Sequence, residues 1–439
     1  MTTSKPRVRI ADQWLRQIMS LLYRRRNLTR NEIGEITGLN AASVSQALRY
    51  LLKRRLLLKA GEVRLSGRRR VDVFNLNAEA AYFVAVDLEG DQIRFALTNF
   101  LGDIRCRWEE ALGFRQPLEP RKLIDGIGRV VRGLEGKRLS QVLAMGVSYP
   151  GLLDAEGRLT AVNLGWTKFP LIQLLKETFP WPLFLEHDKH SCVLAELWLG
   201  LAQGHRNALF LIAEGGIGLG ILVDGKPLEG ARNFAGEIGH WTVSAEADDL
   251  CNCGQRGCLE AIASSPNIVR QYLARIGGAQ SESAGTSVTD VFEKARQQDP
   301  AACAVLERAG RALGLALSYA ISILNPEIVI LGGDIMLAED VFVPIIREEI
   351  ERRTLSLSLD SVKLTVSGLG FDVRLKGAAS LAFREMLEDP AHLRRTCDSA
   401  LSAGEADRPR SSPRASRGPA PVAAVTPHDA VQTEQRVRE

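Results

Sequence analysis

Long apolar runs are missing from this chain: no stretch reaches the roughly 18 to 20 residues that a membrane-spanning helix requires. The first residues, MTTSKPRVRIADQW, lack the hydrophobic centre of a secretory signal. Both absences set the expectation of a cytoplasmic protein without a membrane partner. Cysteine is scarce, 7 among 439 residues, which excludes a disulfide-rich secreted scaffold. Four of them, Cys106, Cys192, Cys303 and Cys397, stand alone and are expected to be structural or inert. Large apolar side chains fade after residue 390, where Pro, Ser, Ala and Arg take over. Residues 391–439 are therefore expected to form a disordered tail, because they bury too little to fold. Acidic residues are sparse at the start: residues 1–77 carry 17 Lys and Arg against 5 Asp and Glu, a balance of +12. The remainder carries 39 against 47, a balance of −8. A basic head on an acidic body points to a head that meets a polyanion.

Residues 1–77 read as a winged helix-turn-helix. Trp14, Ile18, Leu21 and Leu22 recur at helical spacing. Thr29 followed by Glu32 is a capping box, and the helix it opens turns Ile33 and Ile36 inward and stops at Gly38. Asn40 caps the next helix, which buries Val44, Leu48 and Leu51 and presents Ser43, Ser45, Gln46 and Arg49 outward. Such a second helix enters the major groove of double-stranded DNA, where Gln and Arg read base edges and Ser meets phosphate. The alternating stretch LLLKAGEVRLSGRRRVDVFNLN reads as a β-hairpin wing that carries Arg68, Arg69 and Arg70 to phosphates.

From Tyr82 strands alternate with helices, an α/β texture. YFVAVDLEG followed by IRFALTNF, and later FLIAEGGIGLGILVDG, repeat one strand–loop–strand theme, which suggests a duplicated fold with a cleft between two lobes. Within the second half, CNCGQRGC at 251–258 concentrates three cysteines, and His240 stands eleven residues upstream in EIGHW. Three soft sulfurs and an imidazole suit a closed, structural tetrahedral Zn2+ held by His240, Cys251, Cys253 and Cys258.

Taken together, DLEGDQIRFAL, GVSYPG, AVNLGWTKFPL, EHDKHSCVLAELWLG, GIGLGILVDG, GEIGHWTV, CNCGQRGCLE and NPEIVILGGDIM resemble the ROK family of repressors, open reading frames and kinases, from about Tyr82 to Glu385. The basic head resembles the winged helix-turn-helix of the family's repressor branch. The resemblance implies an actin-like, hexokinase-like (ribonuclease H-like) two-lobed domain over residues 78–390. It also implies the same four zinc ligands. It assigns sugar hydroxyls to Asn163, Gly165, His187, Asp188, Glu237, His240 and Glu260, with His187 standing where the family's kinases usually have Asn. Carboxylates suit that role because each oxygen accepts from a hydroxyl.

Two functions fit these residues. In a ROK-type sugar kinase of the glucokinase or N-acetylhexosamine kinase kind, Asp188 would be the general base toward ATP. The nucleotide loops depart from the kinase pattern: Glu89 and Asp91 replace a glycine and a threonine, and Glu214 adds a third acid. An uncompensated like charge about 4 Å from a phosphate costs on the order of 1 kcal/mol in water and several near a protein surface. The favoured expectation is therefore a non-enzymatic, sugar-responsive transcriptional regulator, a homodimer or tetramer that sets paired heads on an operator.

Overall fold

The structure, a computed structural model, describes residues 11–64, 70–88, 92–112, 117–134, 136–244, 249–277, 285–355, 362–389 and 392–393. In the head, helix α1 (Asp12–Arg24) buries Leu15, Ile18, Met19 and Leu22. A short strand β1 (Leu28–Thr29) leads into α2 (Arg30–Thr37). The capping box is formed: Thr29 Oγ1 accepts from the Glu32 backbone, and Glu32 Oε2 accepts from the Thr29 N–H at 2.7 Å. Gly38 ends the helix at φ 71, a left-handed value that glycine adopts without steric cost. Asn40 then accepts from the Ser43 N–H and starts α3 (Ala41–Lys53). The wing is an antiparallel pair, β2 (Leu57–Arg64) and β3 (Arg70–Leu76), with β1 on the far side of β3. Two expectations fail here. Ile36 is 47 % exposed, because α2 packs only through Ile33. Ser43 is 6 % exposed, because the apolar stripe of α3 includes Ala47 one turn further on and so spans the face on which Ser43 lies.

The first lobe runs β4 (Tyr82–Asp87), β5 (Gln92–Asn99), β6 (Ile104–Ala111), α4 (Pro120–Val131) and β7 (Val142–Tyr149). A small flap follows, β8 (Leu152–Leu153), β9 (Leu159–Ala161) and β10 (Trp166–Phe169), then α5 (Leu171–Thr178) and β11 (Leu183–His187). Helix α6 (Asp188–Leu199) leads into the second lobe: β12 (Ala208–Ala213), β13 (Ile217–Val223), β14 (Lys226–Pro227), α7 (Leu259–Ala263), α8 (Ser265–Arg275), α9 (Val288–Arg296) and α10 (Pro300–Leu324). It closes with β15 (Ile328–Gly333), α11 (Glu339–Arg353), β16 (Lys363–Val366) and α12 (Val373–Glu388). The two sheets are ordered β11-β7-β4-β5-β6 and β14-β13-β12-β15-β16. In each, the first strand lies between the second, antiparallel to it, and the fourth, parallel to it. The duplication expected from the repeated strand–loop–strand theme is present at the level of topology.

The helix after the fifth strand of each half crosses to the other half. Helix α6 packs on β12 and β13, whereas α12 packs on β4 and β7, and the two helices pack on each other. Their approach is close: a Cβ on Gly377 would sit 2.0 Å from the Ser191 carbonyl oxygen, so only glycine fits.

The head shares this core. Tyr23 of α1 stacks on Phe383 of α12 at 4.0 Å between ring centroids and meets Trp198 of α6 edge-on at 5.5 Å. Leu15, Ile18, Met19 and Leu22 belong to the same buried cluster as Phe83, Phe100 and Leu381. At the rim, Arg26 pairs with Asp103 at 3.0 Å and Arg24 lies 4.3 Å over the Trp198 ring. Leu393 is fully buried in this cluster, beyond the point where the tail was expected to begin; the rest of that tail, with Cys397, lies outside the described residues.

Candidate functional site

On the head, Arg49 of α3 is exposed, its Nε donating to the Ser45 carbonyl at 3.2 Å, while Ser45 and Gln46 are half-buried. Ser43 faces the core and is not part of that surface. Arg70 begins β3 exposed, 3.6 Å from Glu62; Arg68 and Arg69 lie outside the described residues.

Between the lobes lies a cavity of about 930 Å³, lined on one side by Gln92, Arg94 and Asn163 and on the other by Glu214, Gly216 and Glu260. Strand β11 ends at His187 and helix α6 begins at Asp188, so both residues sit where the chain crosses from the first lobe to the second. Asp188 is 7 % exposed. His187 Nδ1 approaches its Oδ1 at 2.5 Å, and Lys189 Nζ lies 3.3 Å from the same oxygen. Lys189 also donates to Glu237 Oε1 at 2.7 Å, which ties two of the expected sugar carboxylates through one ammonium. Burial pushes the Asp188 carboxyl up, but Lys189 and His187 outweigh it and hold the group well below the ordinary carboxylate range. His187 is only 2 % exposed and packs between Tyr149 and Phe234, ring centroids 5.6 and 6.1 Å away. So buried, its ring is not open to a ligand in the way the sequence reading expected.

Glu260, the second residue of α7, accepts from the Ile217 N–H at 3.2 Å. Asn163 is exposed toward the cavity, and Gly165 beside it turns at φ 65, where an added Cβ would meet Pro117 at 2.8 Å. Of the residues assigned from the sequence, Asn163 and Glu260 line this cavity, while Asp188 and Glu237 are joined to each other through Lys189.

His240, Cys251, Cys253 and Cys258 offer donor atoms within 4.8 Å of one another, a Cys3His cluster that can hold a metal ion. The Cys253–Cys258 sulfur separation is 3.7 Å and Cys251 Sγ lies 3.6 Å from His240 Nδ1. A tetrahedron with metal–sulfur bonds of about 2.3 Å has edges of about 3.8 Å, so these two pairs are already at ligand spacing. Burial pushes the Cys258 thiol up to about 12, so a metal must displace its proton to bind. Next to the cluster, Leu259 N–H donates to the Trp241 carbonyl at 2.9 Å, which joins the start of α7, with Glu260, to the turn that follows Glu237.

At the other end of the cleft the structure corrects the sequence reading. Glu214 is not an uncompensated charge: Arg374 Nη2 donates to its Oε2 at 2.7 Å. Arg374 Nε also donates to Asp87 Oδ2 at 3.2 Å, an oxygen that Arg94 approaches at 3.1 Å. Glu89 and Asp91 lie outside the described residues. Lys189 and Arg374 escaped the sequence analysis. The available signal was a cation in the second position of a helix, where the macrodipole disfavours it.

The fold, the two-lobed cleft and the Cys3His loop define a class. The ROK family model matches residues 83–385, and the chain belongs to the ROK family. A xylose repressor of Caldicellulosiruptor bescii is 28% identical over 382 residues, 83% of this chain and 94% of the relative. A glucokinase of Halalkalibacterium halodurans is 30% identical over 314 residues, 68% of this chain and 94% of the relative. Among solved structures, a ROK family transcriptional regulator described as a homologue of the E. coli MLC protein superposes with a TM-score of 0.68 at 23% identity, covering 88% of this chain and 100% of that one.

Proposed function

We propose that the chain is a transcriptional repressor whose DNA affinity responds to a sugar held in the interlobe cleft. One observation carries the reading: the basic winged head packs, through Tyr23, directly on the two crossing helices, and one of them begins at Asp188. A ligand that changes the angle between lobes therefore acts on the seat of the head. The match to a xylose repressor extends over 83% of this chain and 94% of the relative, and supports the same conclusion. In this reading Asp188, Glu237 and Glu260 accept from sugar hydroxyls, Asn163 closes the opposite wall, and His187 orients Asp188. His240 Nδ1 faces the metal sulfurs, which leaves Nε2 for a hydroxyl. The Cys3His cluster holds Zn2+ as a structural brace, and Arg49, Gln46, Ser45 and Arg70 meet DNA as a homodimer on paired half-sites.

The test is an electrophoretic mobility shift of the full chain on the DNA upstream of its own gene, with D-xylose, D-glucose and N-acetyl-D-glucosamine as probes. A sugar should change the shifted fraction, and Arg49→Ala should weaken operator binding by about 1–3 kcal/mol. Absence of DNA binding at every salt concentration sinks the reading.

The second reading is a sugar kinase, favoured by the presence of Asp188 where the chain crosses between lobes and by the glucokinase relative. In this structure Lys189 and His187 already engage the Asp188 carboxylate oxygen that a substrate hydroxyl would need. Sugar-dependent ATP turnover abolished by Asp188→Asn would establish it instead.

A further inference from the structure

A second cavity, of about 450 Å³, opens where the head rests on the body and shares no lining residue with the interlobe cavity. Small-molecule sites run from about 300 to 1,000 Å³, so the volume suits a ligand. Helix α1 forms the head-side wall with Arg16, Ser20 and Arg24, spaced four residues apart and therefore on one helix face. Helix α6 contributes Leu194, Leu197 and Trp198, and α12 contributes Leu387; all four are buried, which makes the lining between the walls apolar. Strand β14 adds Lys226 at the rim.

Two observations point to an occupant. Arg16, Arg24 and Lys226 form no ion pair with any described residue, whereas the fourth cation of the lining, Arg384, is held by Glu385 at 2.7 Å. Trp198 is 4 % exposed, and its indole Nε1 is buried with no acceptor among the described residues. A buried donor without an acceptor is costly, and a ligand oxygen relieves it. Guanidinium groups left unpaired on one wall attract an anion. The leucines and the indole ask in addition for a carbon body, which a bare phosphate does not offer. Glu229 and Glu388, both exposed, stand on the body side of the rim and would repel a second negative charge. The lining therefore selects a single charge joined to an apolar body.

We propose that this seam cavity is a second ligand site, which takes a small monoanion with an apolar body, such as an aromatic carboxylate, and clasps the head to the body. The charged end meets Arg16 and Arg24 of the head while the carbon body lies on α6 and α12. Binding thus requires the docked head and stabilises it. The inference goes beyond the repressor reading, since it assigns no contact to sugar or to DNA.

The test is fluorescence titration of the full chain with two probes of one skeleton, the monoanion 8-anilinonaphthalene-1-sulfonate and its neutral parent N-phenyl-1-naphthylamine. The sulfonate should saturate one site per chain. Arg16→Gln and Lys226→Gln, at exposed positions, should each weaken the sulfonate at least threefold and change the neutral probe less than 1.5-fold. Ser20→Trp, which fills the cavity from the head side, should weaken both probes at least tenfold. Hydrogen–deuterium exchange with the sulfonate bound should slow at least twofold in peptides covering α1 and β14, and stay at the free rate around Asn163 and Glu260. No saturable sulfonate binding, equal losses of the two probes in Arg16→Gln, or protection around Asn163 and Glu260 in place of α1 would each overturn the proposal. Neither sugar nor DNA enters the experiment, so its failure and a failure of the repressor reading are told apart.

Discussion

The two crossing helices begin alike and do opposite things. Helix α6 places Lys189 in its second position and α12 places Arg374 in the same position. Lys189 pairs with Asp188 and with Glu237. Arg374 pairs with Asp87 and with Glu214, and Arg94 pairs with the same Asp87. One duplicated frame thus yields two differently exposed helix starts: the Glu237 side chain beside Lys189 is 30% exposed, whereas Asp87 beside Arg374 is buried.

The largest way to break this contrast is to remove the brace next to Glu237. Cys258→Ser, or exhaustive chelation, should remove one zinc per chain by elemental analysis and cost on the order of 10 kcal/mol of local folding free energy. The cooperative melt should lose the transition of the second lobe while the head stays helical. Next, Arg374→Met leaves Asp87 and Glu214 buried without their shared cation, and urea unfolding should show a loss of about 3–5 kcal/mol. Lys189→Met should cost less, about 1.5–3 kcal/mol, because the Glu237 side chain is 30% exposed and water can replace the lost donor. Equal losses at the two positions would erase the distinction. The smallest effect is on pH dependence. The folded Asp188 carboxyl lies below its unfolded value of about 3.9, so its contribution is complete above that pH and is lost as pH falls through the folded value. Urea midpoints of Asp188→Asn should therefore fall less steeply than wild type from about pH 5 to about pH 3.

What the residues announced and what they withheld follow from range. Caps, turns and apolar periods act within a few residues, so Thr29–Glu32, Gly38 and Asn40 were legible in the head. The Cys3His cluster was legible because three of its four donors lie within eight residues. The error at Ser43 came from assigning a helix face too narrow an apolar stripe. Arg374 was out of reach for another reason: its partner Asp87 is 287 residues away, and nothing local marks a contact made across a lobe boundary. Glu214 looked hostile for the same reason, since the charge that neutralises it comes from a distant helix.

Tyr23 has one more consequence. Its ring is sandwiched by side chains that belong to the body, so the reading module has no complete apolar interior of its own. Grafting residues 1–77 onto a foreign partner would transplant half an interface, and a chimera would need Trp198 and Phe383 to travel with it.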